Sequence, residues 1–151
     1  MNRTFLTVVL ALALSAGYAL TAFSQVKPDV MVKQRQAAMT LLGKYFGPLG
    51  GMAQGAVPYN ADAVARNAGY LEVLSKMPWD GFQPITAKEN SNALPAIYAD
   101  TAKFKKAADE MQAAVGKLVS SSKGGEAPAK AAIGAVGKAC GACHDNFRQK
   151  H

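Results

Sequence analysis

Apolar positions recur along the chain at the three- and four-residue spacing of amphipathic helices. The first such segment predicts a helix from Val30 to Phe46, with apolar side chains at positions 31, 38, 39, 41, 42, 45 and 46. Asp29 stands just before it, where the positive end of the helix dipole stabilises a carboxylate. Gly47 and Pro48 follow, and this pair is expected to kink or end the helix.

Three further helices are predicted by the same pattern. The second begins after Asn60, a good N-cap, and stops before Pro78. The third covers residues 94–121, and the fourth starts near Pro128, after the break "SSSKGGEAP". The predicted inward positions are Ala61, Val64, Ala68, Leu71 and Leu74, then Ile97, Phe104, Ala108, Met111, Val115 and Leu118, then Ala132, Ile133, Val136, Cys140 and Phe147. No strand pattern appears, so the predicted fold is all-α, an up-down-up-down four-helix bundle.

A long connection, "PWDGFQPITAKENSNA", separates the second predicted helix from the third. It is rich in turn-forming residues but carries two large aromatic side chains, Trp79 and Phe82. Long connections in small domains are usually functional or disordered. Two large rings favour a functional loop that packs onto the bundle.

The first 25 residues, "MNRTFLTVVLALALSAGYALTAFSQ", have a different character. A positive start, an apolar run and a stretch of small residues are typical of a secretory signal peptide, cleaved before Gln25. The alternative is an uncleaved membrane anchor, because Phe5 to Phe23 approaches the length of a bilayer span. The small and polar residues near its end favour cleavage. We therefore expect a signal peptide over 1–24 and one exported domain over 25–151.

The chain is basic, with 17 Lys and Arg against 10 Asp and Glu and a formal net charge of +7. Nucleic acid is a poor candidate partner, because no recognition motif is present and an exported protein rarely meets it. The charge indicates solubility or docking to an acidic partner. Lys103, Lys105 and Lys106 form the densest patch, which we interpret as a solvated helix face.

Both cysteines of the chain stand near its end, in "GKACGACHDNFRQKH". Cys140 and Cys143 share one helix face, and His144 follows directly. The C-x-x-C-H motif attaches c-type haem, because each thiol can add to one vinyl group while the adjacent imidazole binds the iron. The motif predicts one covalent haem c.

Three other interpretations of this motif are weaker. A thioredoxin-like dithiol would require a βαβ surround, which the chain lacks. A zinc site would have to recruit His151, at an unsuitable spacing. A disulfide between Cys140 and Cys143 would span one helical turn in awkward geometry.

Three segments resemble the cytochrome c′ family, the class II c-type cytochromes, which are periplasmic four-helix proteins. They are "GKACGACHDNFRQK", "KQRQAAMTLLGKYFG" and "VPYNADAVARNAGYLEVLSKMPWDGF", and the resemblance covers the whole mature chain. It implies a periplasmic protein with haem attached at Cys140 and Cys143 and with His144 as the single protein ligand of the iron.

The same resemblance implies further contacts at the edge of the haem. It places Arg35 and Gln36 beside the propionates and Asn92, in a loop longer than is usual for the family, at another part of the edge. Arg148 corresponds to the basic residue of the proximal pocket. An arginine within an otherwise apolar stripe also favours an anionic partner on physical grounds.

Bundle geometry predicts what covers the haem. If the helices alternate in direction, the fourth ends where the first begins. The haem is then expected to lie against the start of the first helix, the end of the second and the following loop. Those regions carry Arg35, Met39, Met77, Trp79 and Phe82.

The methionines decide what can face the iron opposite the histidine. Met111 and Met52 are expected to lie far from the haem, and Met77 at its rim, which leaves Met31 and Met39. The resemblance selects Met39. We expect Met39 to cover the distal face without binding the iron, which leaves five-coordinate iron open to nitric oxide or carbon monoxide. The alternative is a six-coordinate, low-spin electron-transfer cytochrome. No acid, base or nucleophile accompanies the motif, so no enzymatic activity is expected.

Outward apolar residues in the region of the first two helices predict a partner surface. Leu49, Val57, Tyr70 and Val73 exceed what one inward stripe requires, and exposed apolar patches often mark interfaces. The family commonly pairs through these helices. We expect a homodimer, together with a redox partner protein that the sequence does not identify.

Overall fold

Four long helices and one short helix make up the regular structure of residues 26–150, the part of the chain that the computed structural model describes. The helices are α1 (Pro28–Ala53), α2 (Ala61–Leu74), α3 (Ala96–Ala99), α4 (Thr101–Ser121) and α5 (Glu126–Phe147). Two short 3-10 turns, Trp79–Gly81 and Pro84–Thr86, lie between α2 and α3. The expected signal peptide and His151 fall outside the described residues. None of the helices within 26–150 is both long and apolar enough to cross a membrane.

Each long helix packs against two others. Helix α1 contacts α2 and α5, and α4 contacts the same two helices from the opposite side. Most of the predicted inward positions form the core, and the side chains of Leu71, Leu118 and Ile133 are almost completely buried. This arrangement confirms the all-α, up-down-up-down four-helix bundle.

Helix α1 is longer than its sequence predicts. It continues through Pro48 to Ala53, so the expected end near Phe46 is wrong. The extra turns bury Leu49 and Met52 in the core, and this burial outweighs the helix-breaking tendency of proline. The prediction that Leu49 faces outward is therefore also wrong.

A side chain from α2 supports α1 just before the proline. Pro48 has no N–H to donate to the carbonyl of residue 44, which weakens this turn of the helix. The buried Asn67 donates its Nδ2–H to the carbonyl of Tyr45 at 3.2 Å. The buried amide of Asn67 thus joins α2 to α1 beside the turn that lacks the Pro48 hydrogen bond.

The third predicted helix is divided at Asp100. Its backbone leaves the helical region, with φ −131° and ψ 72°, and its carboxylate accepts the N–H of Lys103 at 2.9 Å. This hydrogen bond is an N-cap, which starts a new helix at Thr101. The expectation of one continuous helix over 94–121 is wrong, because the aspartate competes for backbone hydrogen bonds at that point.

Replacing Asn67 with alanine should lower the free energy of unfolding by about 1–2 kcal/mol, because the hydrogen bond from this buried side chain to the Tyr45 carbonyl is lost. Urea unfolding followed by far-UV circular dichroism measures this change. Arg66→Ala, at the exposed neighbouring position of α2, is the matched control and should change stability little. Equal stability of the two variants would contradict the proposed role of Asn67.

Candidate functional site

A cavity of about 530 Å³ opens at the end of the bundle where α1 begins and α5 ends. Most of the predicted contact residues line it: Arg35, Gln36, Met39, Trp79, Phe82, Asn92, Cys140, Cys143, His144 and Arg148. Met77 is the exception, because its side chain is exposed and does not line the cavity. The structure therefore brings the C-x-x-C-H motif and the start of α1 to one site.

Helix α5 presents the motif to the cavity from its last two turns. Burial raises the pKa of the Cys140 thiol, and burial together with the nearby Cys140 raises the pKa of Cys143. Redox-active dithiols need the opposite shift, because their thiolates must form near neutral pH. These raised pKa values argue against the redox-dithiol interpretation.

His144 stands beside the two thiols at the cavity wall. Partial burial lowers the pKa of its imidazole, and the guanidinium of Arg148 lowers it further. The lowered pKa favours the neutral imidazole, which keeps a lone pair for a metal. Within residues 26–150, no cluster of three or more His, Cys, Asp or Glu side chains could hold a free metal ion. The zinc interpretation also involves His151, which lies outside the described residues.

Helix α1 forms another wall of the cavity. Met39, Gly43 and Phe46 follow one another at i, i+4 and i+7 and all line it. Gly137 of α5 packs closely on this wall, since a Cβ there would lie 3.3 Å from the Phe46 ring. Sequence reasoning singled out Met39 but missed Gly43 and Phe46, although the helical spacing from Met39 indicates both.

Met111 also lines the cavity, although the sequence placed it far from the haem. A helix that starts at Leu94 would place Met111 about 25 Å along its axis from that start. Since α4 starts at Thr101, the rise to Met111 is only about 15 Å. Met39 and Met111 are thus the methionines of the cavity wall among the described residues.

The loop between α2 and α3 is fastened to the end of α5. The N–H of Leu94 donates to the carbonyl of Phe147 at 2.9 Å, and the N–H of Gln149 donates to the carbonyl of Asn92 at 2.8 Å. Together they form a short antiparallel bridge that the sequence did not predict. The bridge holds Asn92 at the cavity wall, directly beside the motif-bearing helix.

The two aromatic rings of the loop pack onto the bundle, as the sequence predicted. The ring centroids of Phe82 and Phe104 are 4.9 Å apart, and those of Trp79 and Phe104 are 5.9 Å apart. Phe147 of α5 stacks edge-on against Phe104 at 5.2 Å. Trp79 also donates its indole N–H to the carbonyl of Ser75 at 2.6 Å. These rings give the cavity an aromatic wall.

Arg35 and Gln36 occupy neighbouring positions at the cavity but differ in burial. Gln36 is exposed at the rim, whereas Arg35 is only 3% exposed. The guanidinium donates to the Gly81 carbonyl at 2.6 Å and to the Ser91 hydroxyl at 3.0 Å. The predicted contact of both side chains with haem propionates stays a prediction.

The site as a whole fits a covalently bound haem. Its volume lies within the range of cofactor pockets, and most of its wall is apolar or aromatic. Two free thiols at positions 140 and 143 and the imidazole at position 144 of one helix supply the groups that such a haem requires.

Known proteins are similar to this chain over most of its length. The family profile described as cytochrome c′ matches residues 30–148. A cytochrome c′ from Rubrivivax gelatinosus is 44% identical over 126 residues, which cover 82% of this chain and 98% of the relative. The crystal structure of cytochrome c′ from that organism superposes with a TM-score of 0.78, at 43% identity, over 82% of this chain and 98% of the other.

A second solved structure carries information about a ligand. It is described as the nitric oxide complex of a leucine-to-isoleucine variant of cytochrome c prime from Alcaligenes xylosoxidans. Its TM-score is 0.76 at 38% identity, and the match covers 83% of this chain and 98% of that chain.

Replacing both Cys140 and Cys143 with serine should abolish covalent haem attachment, because no other cysteine exists in the chain. Each single replacement should leave the haem attached by one thioether bond. The absorption spectrum of the reduced protein should then be shifted. Haem staining of the denatured protein after electrophoresis measures attachment. Ala142→Ser, at an exposed position between the cysteines, is the control and should keep full staining. Staining of the double variant would contradict this site.

Proposed function

The chain belongs to the cytochrome c′ family, and we propose on that premise that it binds nitric oxide or carbon monoxide at a five-coordinate haem iron in the periplasm. The protein carries haem c, as its family does. The observation that carries the proposal is the cavity, in which His144 stands on the α5 wall and Met39 and Gly43 stand on the α1 wall.

The proposed roles on the α5 side follow from the chemistry of the motif. Haem bound there supplies a redox-active iron that can accept a small diatomic molecule. Cys140 and Cys143, one turn apart on α5, would hold the group by thioether bonds. His144 would bind the iron through its imidazole, because a lowered pKa favours the neutral form with a free lone pair.

The proposed distal face is formed by α1. Met39 covers it as a flexible apolar side chain, and Gly43 one turn later leaves its wall open, since a Cβ there would meet no atom within 4 Å. A small uncharged diatomic can enter such a site without losing strong hydrogen bonds to water. The nitric oxide complex of the Alcaligenes relative supports this proposal.

The alternative function is electron transfer through six-coordinate iron. It requires a thioether ligand opposite His144, and both Met39 and Met111 line the cavity. We favour the open site, in which electron transfer to an unidentified partner remains a secondary role. No enzymatic activity forms part of the proposal.

We also propose that the protein is a homodimer joined through α1 and α2. Tyr70 and Val73 of α2 are 45% and 56% exposed, and together with Leu41 and Tyr45 of α1 they line a shallow apolar groove. Val57, in the connection between the helices, is 45% exposed. A second copy would cover these side chains and remove apolar area from water.

Replacing Met39 with leucine tests the distal face. If Met39 only covers the iron, the high-spin absorption spectrum should persist and nitric oxide should still bind. Conversion of a low-spin spectrum into a high-spin one would show that Met39 is a ligand. Met111→Leu tests the second cavity methionine in the same way, and Met77→Leu, at an exposed position, is the matched control.

Replacing Val73 with glutamate should shift the protein from dimer to monomer, because the carboxylate would be buried without a partner in the interface. Sedimentation velocity at micromolar concentration measures this change. Ile85→Glu, at an equally exposed position in the loop, is the control and should stay dimeric. A wild-type protein that sediments as a monomer would contradict the proposed interface.

A further inference from the structure

Arg35 is a buried cation whose hydrogen-bonding partners all come from one stretch of chain. Its guanidinium donates to the Gly81 carbonyl at 2.6 Å, the Thr86 hydroxyl at 2.9 Å and the Tyr98 hydroxyl at 3.3 Å through one nitrogen. The other terminal nitrogen donates to the Ser91 hydroxyl at 3.0 Å. These acceptors are all uncharged, and they span residues 81–98, from the first 3-10 turn of the loop to α3.

The backbone at Gly81 is shaped for this contact. A Cβ at Gly81 would lie 2.9 Å from the Cβ of Arg35 and 3.0 Å from the carbonyl oxygen of Met31. Any other residue would push the loop away from α1, so glycine is required for the carbonyl to reach the guanidinium. At this point the backbone of the loop therefore lies directly against the Arg35 side chain of α1.

The partners of Arg35 are also joined to one another. The hydroxyls of Thr86 and Tyr98 are 2.9 Å apart, and Thr86 donates to the carbonyl of Gln83 at 2.7 Å. The guanidinium carbon lies 4.4 Å from the centroid of the Phe82 ring, a cation–π arrangement. Phe82 lines the haem cavity, so the network ends at the wall of the site.

We propose that Arg35 is a positioning residue that holds the edge loop, residues 75–95, in the shape that forms one wall of the cavity. It fastens residues 81–91, the front of this loop, to α1. The backbone bridge fastens residues 92–94, the rear of the loop, to the end of α5. Loss of the guanidinium frees the front only, so Phe82 and Ser91 move away from the haem and open the site to solvent. This inference rests on the proposed haem site.

Hydrogen exchange of the haem-loaded protein tests this role directly. In Arg35→Met, the amides of Phe82, Thr86 and Glu89 should exchange at least about tenfold faster, because hydrogen bonds to a charged group are lost. The Leu94 amide, which donates to the end of α5, should keep its protection. Carbon monoxide should also bind the reduced variant several-fold faster.

Lys33→Met is the matched control, because Lys33 is a nearby cation of α1 that is exposed and paired only with Asp29. It should change neither exchange in the loop nor the rate of carbon monoxide binding. Tyr98→Phe and Ser91→Ala remove single acceptors and should accelerate exchange by a smaller factor. They provide the same test if Arg35→Met does not fold.

The outcomes separate the two proposals. Unchanged exchange at Phe82, Thr86 and Glu89 in haem-loaded Arg35→Met and Tyr98→Phe would overturn the positioning role and leave the gas-binding proposal intact. Exchange that accelerates as expected, with an iron that does not bind carbon monoxide, would support the positioning role and overturn the gas-binding proposal.

Discussion

The central constraint on this structure is that three groups for one cofactor lie on a single turn of the last helix. Cys140, Cys143 and His144 point from α5 into a space that α5 itself cannot enclose. The other helices must supply the remaining walls, and they do so because the up-down connectivity returns the end of α5 to the start of α1. The late position of the motif in the chain is therefore compatible with a buried site.

The edge loop is the part of the molecule that adapts a generic bundle to this cofactor. Its aromatic rings pack on Phe104 of α4, its rear pairs with the residues after α5, and its front is hydrogen-bonded to a buried arginine of α1. An arginine can both hold a loop and bind an anion such as a haem propionate, because its planar guanidinium carries five N–H donors. The four hydrogen bonds of Arg35 all go to uncharged acceptors, and its contact with an anion stays a prediction.

Much of the fold followed from the spacing of apolar residues, because a long stripe at helical period has few alternative structures. The errors arose where tertiary contacts outweigh local preference. Burial of Leu49 carries α1 past Pro48, and no local pattern reports that burial. The break at Asp100 depends on one side-chain cap, and it brought Met111 to the cavity. The motif itself was predictable, since its chemistry is local, whereas the hydroxyl partners of Arg35 lie about 50 residues or more away along the chain.

The absorption spectrum of the purified wild-type protein, oxidised and reduced, with and without nitric oxide, tests the central claim most directly. Five-coordinate iron predicts high-spin spectra in both oxidation states and a new spectrum when nitric oxide is added to the reduced protein. Low-spin spectra that nitric oxide leaves unchanged would contradict the open distal site and favour electron transfer through a second protein ligand.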